Sequence, residues 1–160
     1  MNKKRNVTNA VIVFDRNVKV SELERIGKDF EGDIVINKKL IIDKEVELFG
    51  NLHVMGGIKK KSLISEHAIY LNGNLYCYDE IHAQDINIDG SLFSESYIYA
   101  KNITVEGDFT CYAKTECFGY DIIVSGDIEC YDVIKAERVL ALNRITAYAP
   151  IAAKFIKSGY

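Results

Sequence analysis

The chain has 160 residues, a formal net charge of −3, 48% apolar residues, one proline and no tryptophan. That length and apolar content fit one domain with a real core and argue against extended disorder. The Lys and Arg residues are scattered and form no basic patch for nucleic acid, and no apolar run approaches the roughly 20 residues of a membrane span.

Met1 to Asn6 are basic, but a polar, alternating stretch follows where a signal peptide would carry its apolar region. A cytoplasmic location is therefore expected, with the four cysteines as free thiols. Val11 to Phe14 read as a strand. Ser21 and Glu24 have capping-box spacing, and Leu23, Ile26 and Phe30 then share one helical face. Residues 21–30 are expected to form a short helix covering the first coil. Residues 1–31 would thus be an N-terminal strand and helical cap, with the repeat region at 32–160.

That repeat decides the fold class. Gly, a small polar residue and an apolar one recur as Gly32-Asp33-Ile34, Gly50-Asn51-Leu52, Gly73-Asn74-Leu75, Gly90-Ser91-Leu92, Gly107-Asp108-Phe109 and Gly126-Asp127-Ile128. The spacings are 18, 23, 17, 17 and 19 residues, with 17 more to Asn143 in the glycine slot. Within a coil the apolar residues come in alternating pairs, as in Leu92 and Ser94, Ile98 and Ala100, Ile103 and Val105. Period two means strands. Three short strands per coil of about 17 residues make a three-sided turn, and one turn cannot bury its inner face alone. The expected fold is an all-β, single-domain parallel β-helix (β-solenoid), with neighbouring coils about 4.8 Å apart. Small residues follow large ones near each corner: Cys77, Ser94, Cys111 and Cys130 on one side, Ala83, Ala100, Cys117 and Ala136 on the next. This order and the 17-residue period favour a right-handed winding. The glycine is expected to serve a tight turn.

Two readings fit the C-terminal end. Ile145, Ala147, Ile151, Ala153 and Ile156 match the coil template, whereas Pro150, the lysines at 154 and 157 and Gly159 match a helix with its start and stop signals. The last 15 residues are thus a final coil or a helical cap.

Chemistry is sparse. There is no C-x-x-C, and Cys77, Cys111 and Cys130 fall in one inward slot, so the cysteines read as small hydrophobes and no metal site is expected. His53, His67 and His82 lie in separate coils, and no P-loop, Rossmann or G-x-S-x-G spacing occurs. A corner histidine of the kind hexapeptide acyltransferases use keeps a solenoid enzyme as a third reading, but a non-catalytic protein without cofactors is expected.

Two outward features suggest a binding surface. The first side carries Tyr76, Tyr78, Phe93, Tyr112, Tyr131 and Tyr148. Four of these tyrosines share one slot and form a column that Glu95 interrupts, with Tyr97 and Tyr99 just around the corner. Aromatic columns stabilise sheets, and an exposed strip of them also marks partner sites. The long coil after Gly50 is expected to project a loop holding Met55, Gly56 and Gly57, with Lys59, Lys60 and Lys61 as its basic tip. On the third side, Ile123 and Leu140 form an outward apolar pair suited to self-association.

The repeated Gly-Asp/Asn/Ser-apolar turn, with strands such as Ile98-Tyr99-Ala100 and Ile103-Thr104-Val105, resembles bactofilins over about residues 32–142. Bactofilins are bacterial polymer-forming cytoskeletal proteins built as right-handed β-helices, so the resemblance implies end-to-end assembly. The stretch from Cys111 to Tyr120 is also similar to small repeat proteins of Gram-positive bacteria and their phages, which implies a phage-encoded protein that blocks a host factor. The expected function is a non-catalytic module that binds a protein partner through the tyrosine column. The alternative is a self-assembling scaffold of bactofilin type.

Overall fold

The computed structural model describes residues 10–159. Its strands form three parallel sheets, which are the three sides of a parallel β-solenoid. The first sheet stacks Val11–Phe14, Asp33–Ile36, Asn51–Val54, Leu75–Cys77, Leu92–Ser94, Phe109–Cys111, Ile128–Cys130 and Ile145–Ala147 in that order. The second stacks Val18–Lys19, Leu40–Ile42, Ile58–Lys60, Ile81–His82, Ile98–Ala100, Thr115–Cys117, Ile134–Lys135 and Ile151–Ala152. The third runs from Glu47–Phe49 through Ile69–Asn72, Asp85–Ile88, Asn102–Val105, Asp121–Val124 and Arg138–Ala141 to Phe155–Ser158.

Register explains the residue choices. Leu52, Leu75, Leu92, Phe109, Ile128 and Ile145 are successive Cα partners, so one large side chain lies on the next along the solenoid. Ile86, Ile103, Ile122 and Val139 do the same on the third side, all fully buried. Each such side chain contributes about 1.5–3 kcal/mol on burial. The small slot holds Cys77, Ser94, Cys111 and Cys130 in register, with Ser94 Oγ donating to the Ser96 carbonyl at 2.9 Å.

The Gly-polar-apolar turn has a specific cause. The polar side chain accepts the backbone N–H of its equivalent in the next coil. Asn51 takes that of Asn74 at 3.2 Å, Asn74 that of Ser91 at 2.8 Å, Ser91 that of Asp108 at 3.0 Å, and Asp108 that of Asp127 at 2.8 Å. These bonds pair backbone donors at a corner where the sheet ladder is interrupted. Glycine precedes the polar residue because the coils close up there. A Cβ on Gly107 would sit 2.8 Å from the Gly90 carbonyl oxygen. Positive φ applies in the earlier coils, as at Gly50 with φ 96°.

Several expectations need correction. The helix is one turn, Val20–Leu23, rather than residues 21–30. Ser21 does not cap it: its N–H and hydroxyl both go to the Asp43 carboxylate, while Glu22 accepts the Lys19 N–H at 2.8 Å. Residues beyond Leu23 continue as turns in which Ile26 and Phe30 pack against the core. The strands Val11–Phe14 and Val18–Lys19 pair with the next coil, so the stacked sheets begin before residue 32. At the other end the coil reading holds. Ile145–Ala147, Ile151–Ala152 and Phe155–Ser158 are strands that extend all three sheets.

The lysine segment also differs. Ile58–Lys60 is a strand between Leu40–Ile42 and Ile81–His82, and Met55 to Gly57 form an ordinary corner. The extra residues of this coil come after Lys60, between the second and third sides. Ile58 is a ladder residue 1% exposed, and burying it fixes its two lysine neighbours in the strand.

Candidate functional site

The first sheet turns its alternate residues outward, and the register brings the aromatic ones together. Tyr112 stacks on Tyr131 with ring centroids 4.7 Å apart and planes 9° apart, and Tyr131 stacks on Tyr148 at 4.9 Å and 14°. Phe93 meets Tyr112 edge-on at 5.4 Å and also touches Tyr76 at 6.2 Å and Tyr78 at 6.1 Å. Phe93 therefore bridges the gap that Glu95 leaves in the column. His53 extends the row at the other end, stacked on Tyr76 at 4.7 Å and 10°, with its Nε2 3.3 Å from Asp33. The result is one continuous aromatic ladder from His53 to Tyr148.

Its exposed part is at the C-terminal end. Tyr112, Tyr131 and Tyr148 are 46%, 40% and 64% exposed, whereas Tyr76, Tyr78 and Phe93 are half-buried. Because neighbouring rings cover most of the faces, the ladder presents ring edges and hydroxyls. The outer face of Tyr148 is the exception.

Carboxylates rim this row. Asp79, Glu95, Glu129 and Asp132 follow or flank the tyrosines, and among the described residues none has a Lys or Arg partner. Tyr131 donates its hydroxyl to Glu129, and that bond pushes the phenol up to about 12. The surface is thus rich in acceptors and negative charge.

A second aromatic group occupies the next side. Tyr99 stacks on Phe118 at 4.8 Å, and His82 lies against both Tyr97 and Tyr99. Tyr97 donates to Glu116 at 2.9 Å, and that bond, ahead of the charges of Lys114 and Lys135, holds the carboxyl below its ordinary range. Phe118 and His53 were missed in the sequence; His53 can be found as the residue in register with Tyr76 one coil back, whereas Phe118 lies at a corner two residues beyond Glu116, the register partner of Tyr99.

The other candidates lie apart from the ladder. Lys59 and Lys61 are exposed on or beside the second sheet. Ile123 and Leu140 are in register and half-buried, with Leu142 42% and Phe155 51% exposed on the same end of the third side. A groove of about 630 Å³ on that side is lined by Glu47, Tyr70, Asn87, Asp89, Thr104 and Glu106. Among the described residues no group of His, Cys, Asp or Glu converges to hold a metal ion.

Cys77, Cys111, Cys117 and Cys130 are free and buried. Burial pushes the Cys77 and Cys117 thiols up to about 12, and the hydrogen bond with Cys130 together with burial raises Cys111. Thiols held so high are not nucleophiles at neutral pH.

No protein-family model, curated protein or solved structure matches the chain. Among the described residues no helix is long and apolar enough to cross a membrane.

Proposed function

We propose that this solenoid is a non-catalytic interaction module that binds a protein partner through the aromatic ladder. The observation that carries this reading is the exposed, stacked row of Tyr112, Tyr131 and Tyr148, rimmed by carboxylates that have no Lys or Arg partner among the described residues. Tyrosine offers large contact area and a polar handle at small entropic cost, which suits it to interface hot spots. The acids Asp79, Glu95, Glu129 and Asp132 favour a partner surface that brings positive charge and hydrogen-bond donors. The chain works in the cytoplasm in this reading, winds right-handedly, and needs no cofactor. Inhibition of a host factor by a phage-encoded copy is its most specific form.

The test is affinity capture from lysate with the wild type and with the double variant Tyr112→Ala, Tyr131→Ser. The reading expects a defined partner that the variant loses by about 30-fold or more, the effect of a hot spot of about 2 kcal/mol. Equal recovery with a lowered melting temperature would assign the ladder to stability alone.

A second reading, self-assembly, is favoured by the apolar group on the third side, where Ile123 and Leu140 are in register and half-buried beside Leu142, 42% exposed. An outward apolar group on a sheet face suits contact with a second copy. Filaments in electron micrographs of the purified protein would favour this scaffold role, and a monomer by light scattering at high concentration would count against it and against a lateral dimer through Ile123 and Leu140.

A further inference from the structure

The third coil carries an insertion that none of the other features uses. Elsewhere the chain passes from the second side to the third within a few residues, as between Ala100 and Asn102. Here residues 61–68 intervene between Lys60 and Ile69. At their tip are Leu63 and Ile64, 93% and 90% exposed, against 65% for Tyr120, the next most exposed large apolar residue among the described ones. An adjacent aliphatic pair left this bare by a folded chain marks a contact surface.

The loop is held in this posture. Ser65 donates its N–H to the Ser62 carbonyl at 3.2 Å, Gln84 Nε2 donates to the Ser65 carbonyl at 3.2 Å, and Ala68 N–H donates to Glu45 at 3.3 Å. Lys60 Nζ reaches the Leu63 carbonyl at 3.5 Å. The base is tied down and the two aliphatic side chains point away from the solenoid's own core.

The strand that leads into the loop is basic. Lys59 and Lys61 are exposed, and Lys60 is partly so. The acids at the equivalent corner one coil back are engaged, Asp43 accepting from Ser21 and Glu45 from the Ala68 N–H, while Glu66 is exposed in the loop itself.

We infer that loop 61–68 is a peripheral anchor that seats the solenoid on an anionic lipid surface. Leu63 and Ile64 enter the boundary between headgroups and acyl chains, and the lysines meet the headgroup anions. Lysine suits this place because its apolar stem follows the inserted residues while the ammonium stays in water. Two aliphatic side chains hold a surface only weakly, so attachment depends on both lipid charge and salt. The anchor is independent of the aromatic ladder, which occupies the first side, and it leaves that ladder free for a protein partner.

The chain has no tryptophan, so Ile64→Trp places a single reporter at the tip. The variant is mixed with vesicles of phosphatidylcholine, and with vesicles carrying about one-third phosphatidylserine. The anchor requires a blue-shifted emission and sedimentation with the anionic vesicles only. Wild-type binding should weaken by about tenfold or more in the double variant Leu63→Ser, Ile64→Ser, in Lys59→Glu, Lys61→Glu, and at high salt. Circular dichroism checks that each variant keeps its strands. Absence of a shift with anionic vesicles at low salt, or undiminished sedimentation of the serine variant, overturns the inference. A blue shift that grows with protein concentration in the absence of vesicles also overturns it, because a second copy would then cover the loop.

Discussion

Removing one ring from the aromatic ladder should have a cost set by how many neighbours that ring has. Tyr112 touches two, the stacked Tyr131 at 4.7 Å and the edge-on Phe93 at 5.4 Å, and is 46% exposed. Tyr148 touches one, Tyr131 at 4.9 Å, and is 64% exposed. An aromatic pair contributes about 0.5–1.5 kcal/mol beyond the area it buries, and cross-strand pairs measured against alanine give about 0.2–1 kcal/mol. Tyr112→Ala should therefore destabilise by about 1.5–3 kcal/mol and Tyr148→Ala by roughly half as much. Tyr112→Phe, which keeps the stack, should cost about 0.5 kcal/mol or less. Urea unfolding followed by circular dichroism measures all three, provided the slope with denaturant is unchanged. A Tyr148→Ala variant as destabilised as Tyr112→Ala, or two alanine variants indistinguishable from wild type, would refute the idea that the rings support one another coil to coil.

Thr115 stands between Ile98 and Ile134 in a buried ladder, and its hydroxyl has only the weakly polar Cys111 thiol beside it and no well-formed hydrogen bond. Thr115→Val should raise stability by about 1 kcal/mol, read as an increased unfolding midpoint. The four buried thiols should react with a bulky disulfide reagent only as fast as the protein opens, so rapid labelling of the native state would contradict the ladder. The Tyr97 bond holds Glu116 below its ordinary 4.5, so its contribution is present above that pH and is lost as pH falls through the depressed value. Tyr97→Phe should move the Glu116 titration up towards 4.5, followed by carboxyl-resolved NMR, and should leave the variant less stable than wild type above that pH, with the difference shrinking as pH falls.

The solenoid is legible because its signals repeat. The alternation in Leu92-Phe93-Ser94 or Ile98-Tyr99-Ala100 recurs often enough for one misread coil not to matter. The role of the polar turn residue is not legible locally, since Asn74 and Ser91 act on a coil that lies 17 residues away. The insertion was placeable: Ile58 follows Leu40 by 18 residues and precedes Ile81 by 23, so the surplus lies after it. Gly56-Gly57 suggested a loop instead, yet Gly57 is buried with φ 88° in a corner of ordinary length. The N-terminal helix was over-read for a similar reason. The spacing of Ser21 and Glu24 fits a capping box, but Asp43 from the next coil claims the serine. The C-terminal ambiguity came from Pro150 and Gly159, which sit at corners as readily as at helix ends, and pairing with the preceding coil decides for strands.

The most direct test of the ladder as the partner-binding face is site-specific photo-crosslinking. A benzophenone side chain is placed at 112, at 131 and, as a control on the third side, at 104, and irradiated in lysate. Binding through the ladder predicts one shared adduct from 112 and 131 that is missing from 104. Adducts at 104 with none at 112 or 131, or adducts at the ladder made only of the chain itself, would contradict it.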